Sequence, residues 1–211
     1  MRVTHYGHAC LLVESERARF IFDPGMFSSG LDAAEDVTAV FVTHQHPDHI
    51  DEKLVEGLLR RNPQASLIVD PGSAEVGQKL TRHCRVVHPG ETLTLGGTDV
   101  MAIGGAHALI HADVPVIPNL GFVLDDGAFY HPGDAFDIPP CEIDVLGLPI
   151  AAPWLKASEV VDFLRGISPR VAIPIHEAVL ANPEFQFPLF EALAPEGTAV
   201  RPLSRTVPTQ L

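Results

Sequence analysis

The densest concentration of reactive side chains is the segment Thr43-His44-Gln45-His46-Pro47-Asp48-His49, with three imidazoles and a carboxylate inside six positions. It follows the apolar run 39–42 and precedes a stretch of helical periodicity, so its side chains are expected on a loop. Borderline nitrogen and hard oxygen donors in that mixture suit zinc and, less selectively, iron or manganese. Four donors serve one ion tightly or two ions loosely. A histidine-rich surface loop is the plain alternative, but this density directly behind a buried strand argues against it.

Three further residues have similar placement: His107 after 100–106, Asp134 after 129–133 and His176 after 171–175. Each alone would more often be a hydrogen-bonded residue at a strand end. With the histidine-rich loop they become expected ligands, because strand ends meeting on one rim bring distant positions together. A ligating imidazole needs an acceptor for its other nitrogen, and Asp23, ending its own strand, is a candidate. A turn before Pro24 explains Asp23 equally well. His8 lies between apolar residues and is expected to be satisfied inside the fold, with orienting a ligand or meeting substrate as its functional reading. His111 has the chemistry to protonate a leaving group, although exposure to solvent explains it too. His5, His83, His88 and His131 carry no functional expectation.

Positioning such a set is work for strands. Seventeen glycines and 19 prolines cut the chain into short segments rich in Val, Ile, Leu and Phe. They predict strands near 1–5, 8–13, 17–22, 38–43, 66–70, 91–95, 98–104, 120–125, 128–131, 144–149, 171–175 and 198–203. Helices are expected at 52–61 behind Asp51 as N-cap, at 73–82, at 158–165 between Ser158 and Gly166, and at 185–193. So many strands with so few helices predict two sheets packed face to face with helices outside, an αββα sandwich in one domain over 1–211. The polar tail 204–211 is expected to fray.

Composition narrows the partners. Against 27 acidic residues stand 14 basic ones, a formal charge of −13 that disfavours nucleic acid and anionic lipid surfaces. No apolar stretch approaches the length of a membrane span, and residues 1–13, broken by His5 and His8, do not read as a signal peptide; a cytoplasmic location is expected. The three cysteines, Cys10, Cys84 and Cys141, are expected to be reduced, with Cys10 and Cys141 in packing roles.

His-x-His-x-Asp-His, a later isolated His, a Gly-Asp after a strand and a last strand ending in His together resemble the metallo-β-lactamase superfamily over nearly the whole chain. The resemblance implies that His44, His46 and His107 hold one divalent ion and Asp48, His49 and His176 a second. Asp134 would bridge them, with Asp48 also counted as catalytic. Zinc is expected, with manganese or iron as alternatives. Gly7-His8-Ala9, Phe22-Asp23-Pro24, Tyr130-His131-Pro132-Gly133-Asp134 and Leu148-Pro149-Ile150 resemble the branch that contains ascorbate phosphate lactonase. Where that branch usually has a glycine pair, this chain has Ala151-Ala152 and then Pro153-Trp154, which implies an altered substrate rim.

Two ions sharing a water lower its pKa towards neutrality and supply hydroxide without a protein base, chemistry suited to lactones, esters and phosphodiesters. The metals' surplus positive charge admits an anionic small-molecule substrate despite the acidic exterior. The segments 26–29, 109–119 and 151–156 are expected to form the rim, with Phe27, Ile110, Val114, Val116 and Trp154 in an apolar groove and Lys156 as its one cation. The same apolar residues would equally serve a contact between copies of the chain. Two other readings remain open here. One is a mono-iron oxidoreductase of the sulfur dioxygenase type; the diiron oxidoreductases carry Glu where this chain has His46, and a flavin domain that 211 residues cannot hold. The other is a metal-binding scaffold without turnover.

Overall fold

The computed structural model describes residues 1–211 and forms two seven-stranded sheets. The first contains β1 (Arg2–Gly7), β2 (Cys10–Glu14), β3 (Arg19–Phe22), β4 (Ala39–Val42), β5 (Ser66–Val69) and β6 (Cys84–Val86). Helices α1 (Glu52–Arg61) and α2 (Ala74–Leu80) interrupt it. The second contains β7 (Thr92–Leu95), β8 (Thr98–Gly104), β9 (Leu120–Leu124), β10 (Phe129–His131), β11 (Val145–Pro149), β12 (Val171–Ile175) and β13 (Ala199–Val200), with α3 (Ala157–Ile167) and α4 (Phe187–Leu193) between its last strands. The chain then returns to the first sheet, where β14 (Thr209–Gln210) pairs with β1. In each sheet the early strands run antiparallel and the later ones parallel, so the two halves share a plan.

The period-two alternation of the strands builds the layers. In β3 and β4, Phe20, Phe22, Ala39 and Phe41 enter the core between the sheets, while Ile21, Val40 and Val42 face the cluster under α1, where Val55, Leu58 and Leu59 pack. In β11 and β12, Val145, Val171, Ile173 and Ile175 join the same central core, while Leu146, Leu148 and Ala172 meet Val160, Phe163 and Leu164 of α3. Sheets covered on both faces give strands buried at nearly every position, as β2, β9, β11 and β12 are. Truncating one of the fully buried ring side chains, such as Phe41, is expected to cost about 3–5 kcal/mol. The αββα sandwich is therefore the observed architecture.

Some local expectations need correction. The tail does not fray: Thr206 N–H donates to His5 O, Leu211 N–H donates to Met1 O, and β14 extends the first sheet. Helix α3 is capped two residues before Ser158, by Lys156, whose backbone N–H donates to Glu159 Oε2 at 2.8 Å. It also runs through Gly166 and stops where Ser168 adopts a left-handed conformation. Asp51 does cap α1, accepting from the N–H groups of Lys53 and Leu54. No helix is long and apolar enough to cross a membrane.

Candidate metal centre

All the expected ligands gather at one end of the sandwich, on the loops that leave the strand ends. His44, His46, Asp48 and His49 follow β4; His107 follows β8, Asp134 follows β10 and His176 follows β12. His8 sits in the β1–β2 turn and Asp23 just beyond β3. Backbone hydrogen bonds tie these loops to one another: Leu120 N–H to Thr43 O, Ala108 N–H to Asp134 O, and His176 N–H to His8 O. The Pro24-Gly25 turn seats the histidine-rich loop through Met26 N–H to Pro47 O and Asp51 N–H to Pro24 O. A Cβ on Gly25 would stand 1.8 Å from the carbonyl oxygen of Asp48, so only glycine permits this approach.

The donor atoms form two groups with Asp134 between them. His44, His46, His107 and Asp134 offer atoms within 4.8 Å of one another. Nε2 of His44 lies 3.0 Å from Nδ1 of His46, and Nε2 of His107 lies 3.3 Å from Oδ2 of Asp134. On the other side, Nε2 of His49 and of His176 stand 3.0 and 3.1 Å from Oδ1 of Asp134, without the alignment of a hydrogen bond. Nε2 of His49, His107 and His176 and Oδ1 of Asp134 are buried polar atoms with no hydrogen-bond partner. Buried polar atoms are normally satisfied, and their convergence here, with imidazole and carboxylate chemistry, fits divalent cations.

His8 stands beside this centre. It shares the second histidine group with His49 and His176, stacks on His176 with centroids 4.5 Å apart, and holds Oδ2 of Asp48 at 3.1 Å from its Nε2. Asp48 Oδ2 in turn lies 3.9 Å from His49 Nε2, and the Asp48 carboxylate opens towards solvent.

Nδ1 of three of the rings, His44, His49 and His107, has a partner that orients it. Nδ1 of His49 meets Asp23 Oδ2 at 2.7 Å, and Nδ1 of His107 donates to the carbonyl of Ala108 at 2.6 Å. Nδ1 of His44 donates to Thr43 Oγ1, which itself donates to Asp23 Oδ2. Each such contact leaves the far nitrogen, Nε2, free to act as a donor atom. Asp23 is fully buried and also accepts from Thr43 N–H, so it serves as more than a turn residue. Asn119 positions Asp134 by accepting from its backbone N–H at 2.9 Å and donating to Pro132 O. Three of the residues in or beside the centre, His8, Asp23 and His176, have positive φ angles of 56°, 44° and 69°. Left-handed backbone outside glycine is strained and is kept where surrounding contacts over-determine it.

Burial holds the His44 imidazole well below its ordinary pKa, helped by the charge of His49, and lowers His46 and His8 as well. His49 behaves oppositely. Burial opposes its charge, but Asp134 and Asp23 outweigh that and raise its pKa well above the usual histidine value. Burial would likewise raise Asp134, yet the charges of His176 and His49 hold it well below the carboxylate range. For Asp48 the same opposition, won by the hydrogen bond from His8 and the charge of His49, ends at about 2.

Several contributors were invisible in sequence. Thr43 and Asn119 read as ordinary strand-end polar residues. His131, given no role, is fully buried, with Nε2 at 2.9 Å from Ala9 O and its ring stacked on Phe22. Nε2 of His5 lies 3.0 Å from the carbonyl of His8. Trp154, read as an apolar rim residue, donates its indole N–H to Asp134 Oδ2 at 2.7 Å. His111 is exposed and accepts from the backbone of Asp113, and Lys156 turns to Glu159.

Above the donors lies a cleft of about 170 Å³ lined by Ile110, Trp154 and Val179 together with His46, His107, His176, Asp48 and Asp134, and by no Lys or Arg. A larger polar hollow of about 490 Å³, around Arg2, Glu14 and Arg19, opens at the opposite end of the first sheet and holds no comparable donor set.

The family described as the beta-lactamase superfamily domain matches residues 2–176, ending on the last of the converging histidines. Among curated relatives, Protein Rv0786c of Mycobacterium tuberculosis is 45% identical over 86% of each chain. A UPF0173 metal-dependent hydrolase of Carboxydothermus hydrogenoformans is 29% identical over 83% of this chain and 84% of its own. Among solved structures, the metallo hydrolase Igni18 of the archaeon Ignicoccus hospitalis superposes with a TM-score of 0.73 at 21% identity, covering 100% of this chain and 98% of its own. The chain therefore belongs to the metallo-β-lactamase superfamily.

Proposed function

We propose that this metal-dependent hydrolase works with two divalent ions, zinc foremost, and cleaves a lactone, ester or phosphodiester bond in a small molecule with an apolar part. The observation that carries the proposal is Asp134, whose two oxygens face separate histidine groups, Oδ2 towards His107 and Oδ1 towards His49 and His176. In this reading His44, His46 and His107 hold one ion, Asp48, His49 and His176 the other, and Asp134 both. Bound there, the pair would supply Lewis acidity and an activated water at neutral pH.

The protein's own residues do the rest. Asp23, Thr43 and the Ala108 carbonyl fix the tautomers of His49, His44 and His107, so that these three donors need not reorient on binding. Asp48, held ionised at the open edge of the cleft, supplies a negative donor and an acceptor for the attacking water's hydrogen; a group so acidic is unsuited to protonating a leaving group. Ile110, Val179 and the ring of Trp154 shelter the reacting bond and favour an apolar neighbour to it. With no Lys or Arg in the lining, a bare sugar phosphate finds no side-chain cation beyond the metals.

The test is metal content per chain by elemental mass spectrometry on protein purified without added metal, with a screen of lactones, esters and phosphodiesters. About two zinc or manganese with hydrolysis is expected, and Asp134→Ala is expected to lose both metal and turnover. One iron with oxygen uptake and no hydrolysis would replace the proposal with an oxidoreductase. Normal metal content in Asp134→Ala would remove the bridging role.

A further inference from the structure

We infer that Trp154 is a positioning residue for the metal centre: its indole N–H fixes the orientation in which Asp134 spans the two donor groups. The inference rests on the bridging assignment of Asp134. The N–H donates to Oδ2 at 2.7 Å, a short contact to a carboxylate buried to 4% exposure. An indole nitrogen is donor only, and a carboxylate oxygen has two lone-pair sites, so the contact leaves Oδ2 a second site towards His107. It also marks the two oxygens as unequal, since Oδ1 has no hydrogen-bond partner at all.

The donor is itself held. The Trp154 ring meets Phe136 edge-on at 5.0 Å, and Phe136 packs at 4.7 Å on Phe163, which belongs to α3. On its other side the ring lies edge-on to His107 at 6.1 Å. A ring braced from a helix, with its polar edge on the carboxylate and its body lining the cleft, joins the substrate wall to the metal centre in one side chain. This use of the 151–156 segment depends on the tryptophan that stands just beyond Ala151-Ala152.

Trp154 is the sole tryptophan of the chain, so tryptophan emission reports the surroundings of this one side chain. The experiment is a zinc titration of the chelator-stripped full chain against a chromophoric chelator, with emission recorded in parallel, for the wild type and for Trp154→Phe. Phenylalanine keeps an aromatic ring for Phe136 to pack on, while the indole N–H is lost together with the five-membered ring that carries it. Expected are a change in wild-type emission that saturates with zinc binding and, in Trp154→Phe, zinc affinity lowered roughly 10–100-fold with an unaltered far-ultraviolet circular dichroism spectrum. Wild-type affinity within about twofold in a folded Trp154→Phe would overturn the inference while leaving the metal centre intact. If that variant does not fold, wild-type emission decides: indifference to bound zinc overturns the inference, and a saturating change supports it. A wild type that binds no zinc at all would instead sink the metal-centre reading beneath it.

Discussion

Replacing Asp23 by Asn changes one atom and separates tautomer control from packing. Oδ1 of Asp23 accepts from Thr43 N–H at 2.8 Å, while Oδ2 takes the Thr43 hydroxyl at 2.8 Å and faces His49 Nδ1 at 2.7 Å. The backbone N–H of Thr43 can only donate, so the amide oxygen of Asn must occupy the Oδ1 position. Its NH2 then points at His49 Nδ1, which is forced to accept, and the ring proton moves to Nε2, the atom aimed at Asp134 Oδ1. That nitrogen can no longer ligate. Losing an outer partner of a ligating histidine lowers metal affinity roughly 10–100-fold, which corresponds to about 1.4–2.8 kcal/mol. The fold loses one buried hydrogen bond to a charged group, about 1.5–3 kcal/mol, or roughly 3–12 °C in Tm for a chain of this size. Competition titration with a chelator and a thermal melt of the stripped protein measure the two effects separately. Wild-type zinc affinity and stoichiometry in Asp23→Asn, whatever its Tm, would refute the tautomer argument.

Three further outcomes are expected. Gly25→Ala forces a Cβ into the backbone of Asp48, where nothing flexible can yield, so its destabilisation should exceed the about 1–3 kcal/mol of ordinary overpacking and its metal content should fall; denaturant titration and elemental analysis check both. Deleting 204–211 removes β14 and the Arg205–Glu177 contact at 2.8 Å, while Glu177 also receives the N–H of His8; lowered Tm and weaker metal binding are expected, and intact metal binding would confine the tail to the sheet edge. For pH, the raised His49 pKa contributes stability to the stripped protein that is complete below the ordinary 6.5 and lost as pH rises through the folded value. The depressed Asp134 contributes above the ordinary 3.8 and loses it only as pH falls through its folded value. Melts of stripped and zinc-loaded protein across the alkaline side should therefore diverge, the stripped form falling first; parallel curves would contradict this.

The strands that carry the site were legible because a buried sandwich makes each a short apolar run with punctuation at both ends. The candidate ligands were legible because each stands directly after such a run, as His107 and His176 do. What stayed hidden is what depends on pairing or on direction. Strand β6 alternates half-buried and exposed residues at a sheet edge, and β14 exists only because β1 offers an edge far away in sequence. The end of α3 was misread because Gly166 resembles a stop signal, whereas Ser168 makes the turn. For His8 a role in orienting a ligand was open from the sequence, but a buried histidine among apolar residues gives no sign that its ring stacks on His176. The N–H of Trp154 could not be seen at all, since residue type suggests a hydrophobic wall and only geometry turns its polar edge to Asp134.

The left-handed backbones of His8, Asp23 and His176 have a consequence for anyone evolving this protein. At each position glycine would relax the main chain, while erasing a side chain that the centre uses. Selection for heat tolerance alone would therefore have a route to sturdier but inert variants, and laboratory evolution of this scaffold needs turnover or metal retention as a simultaneous criterion.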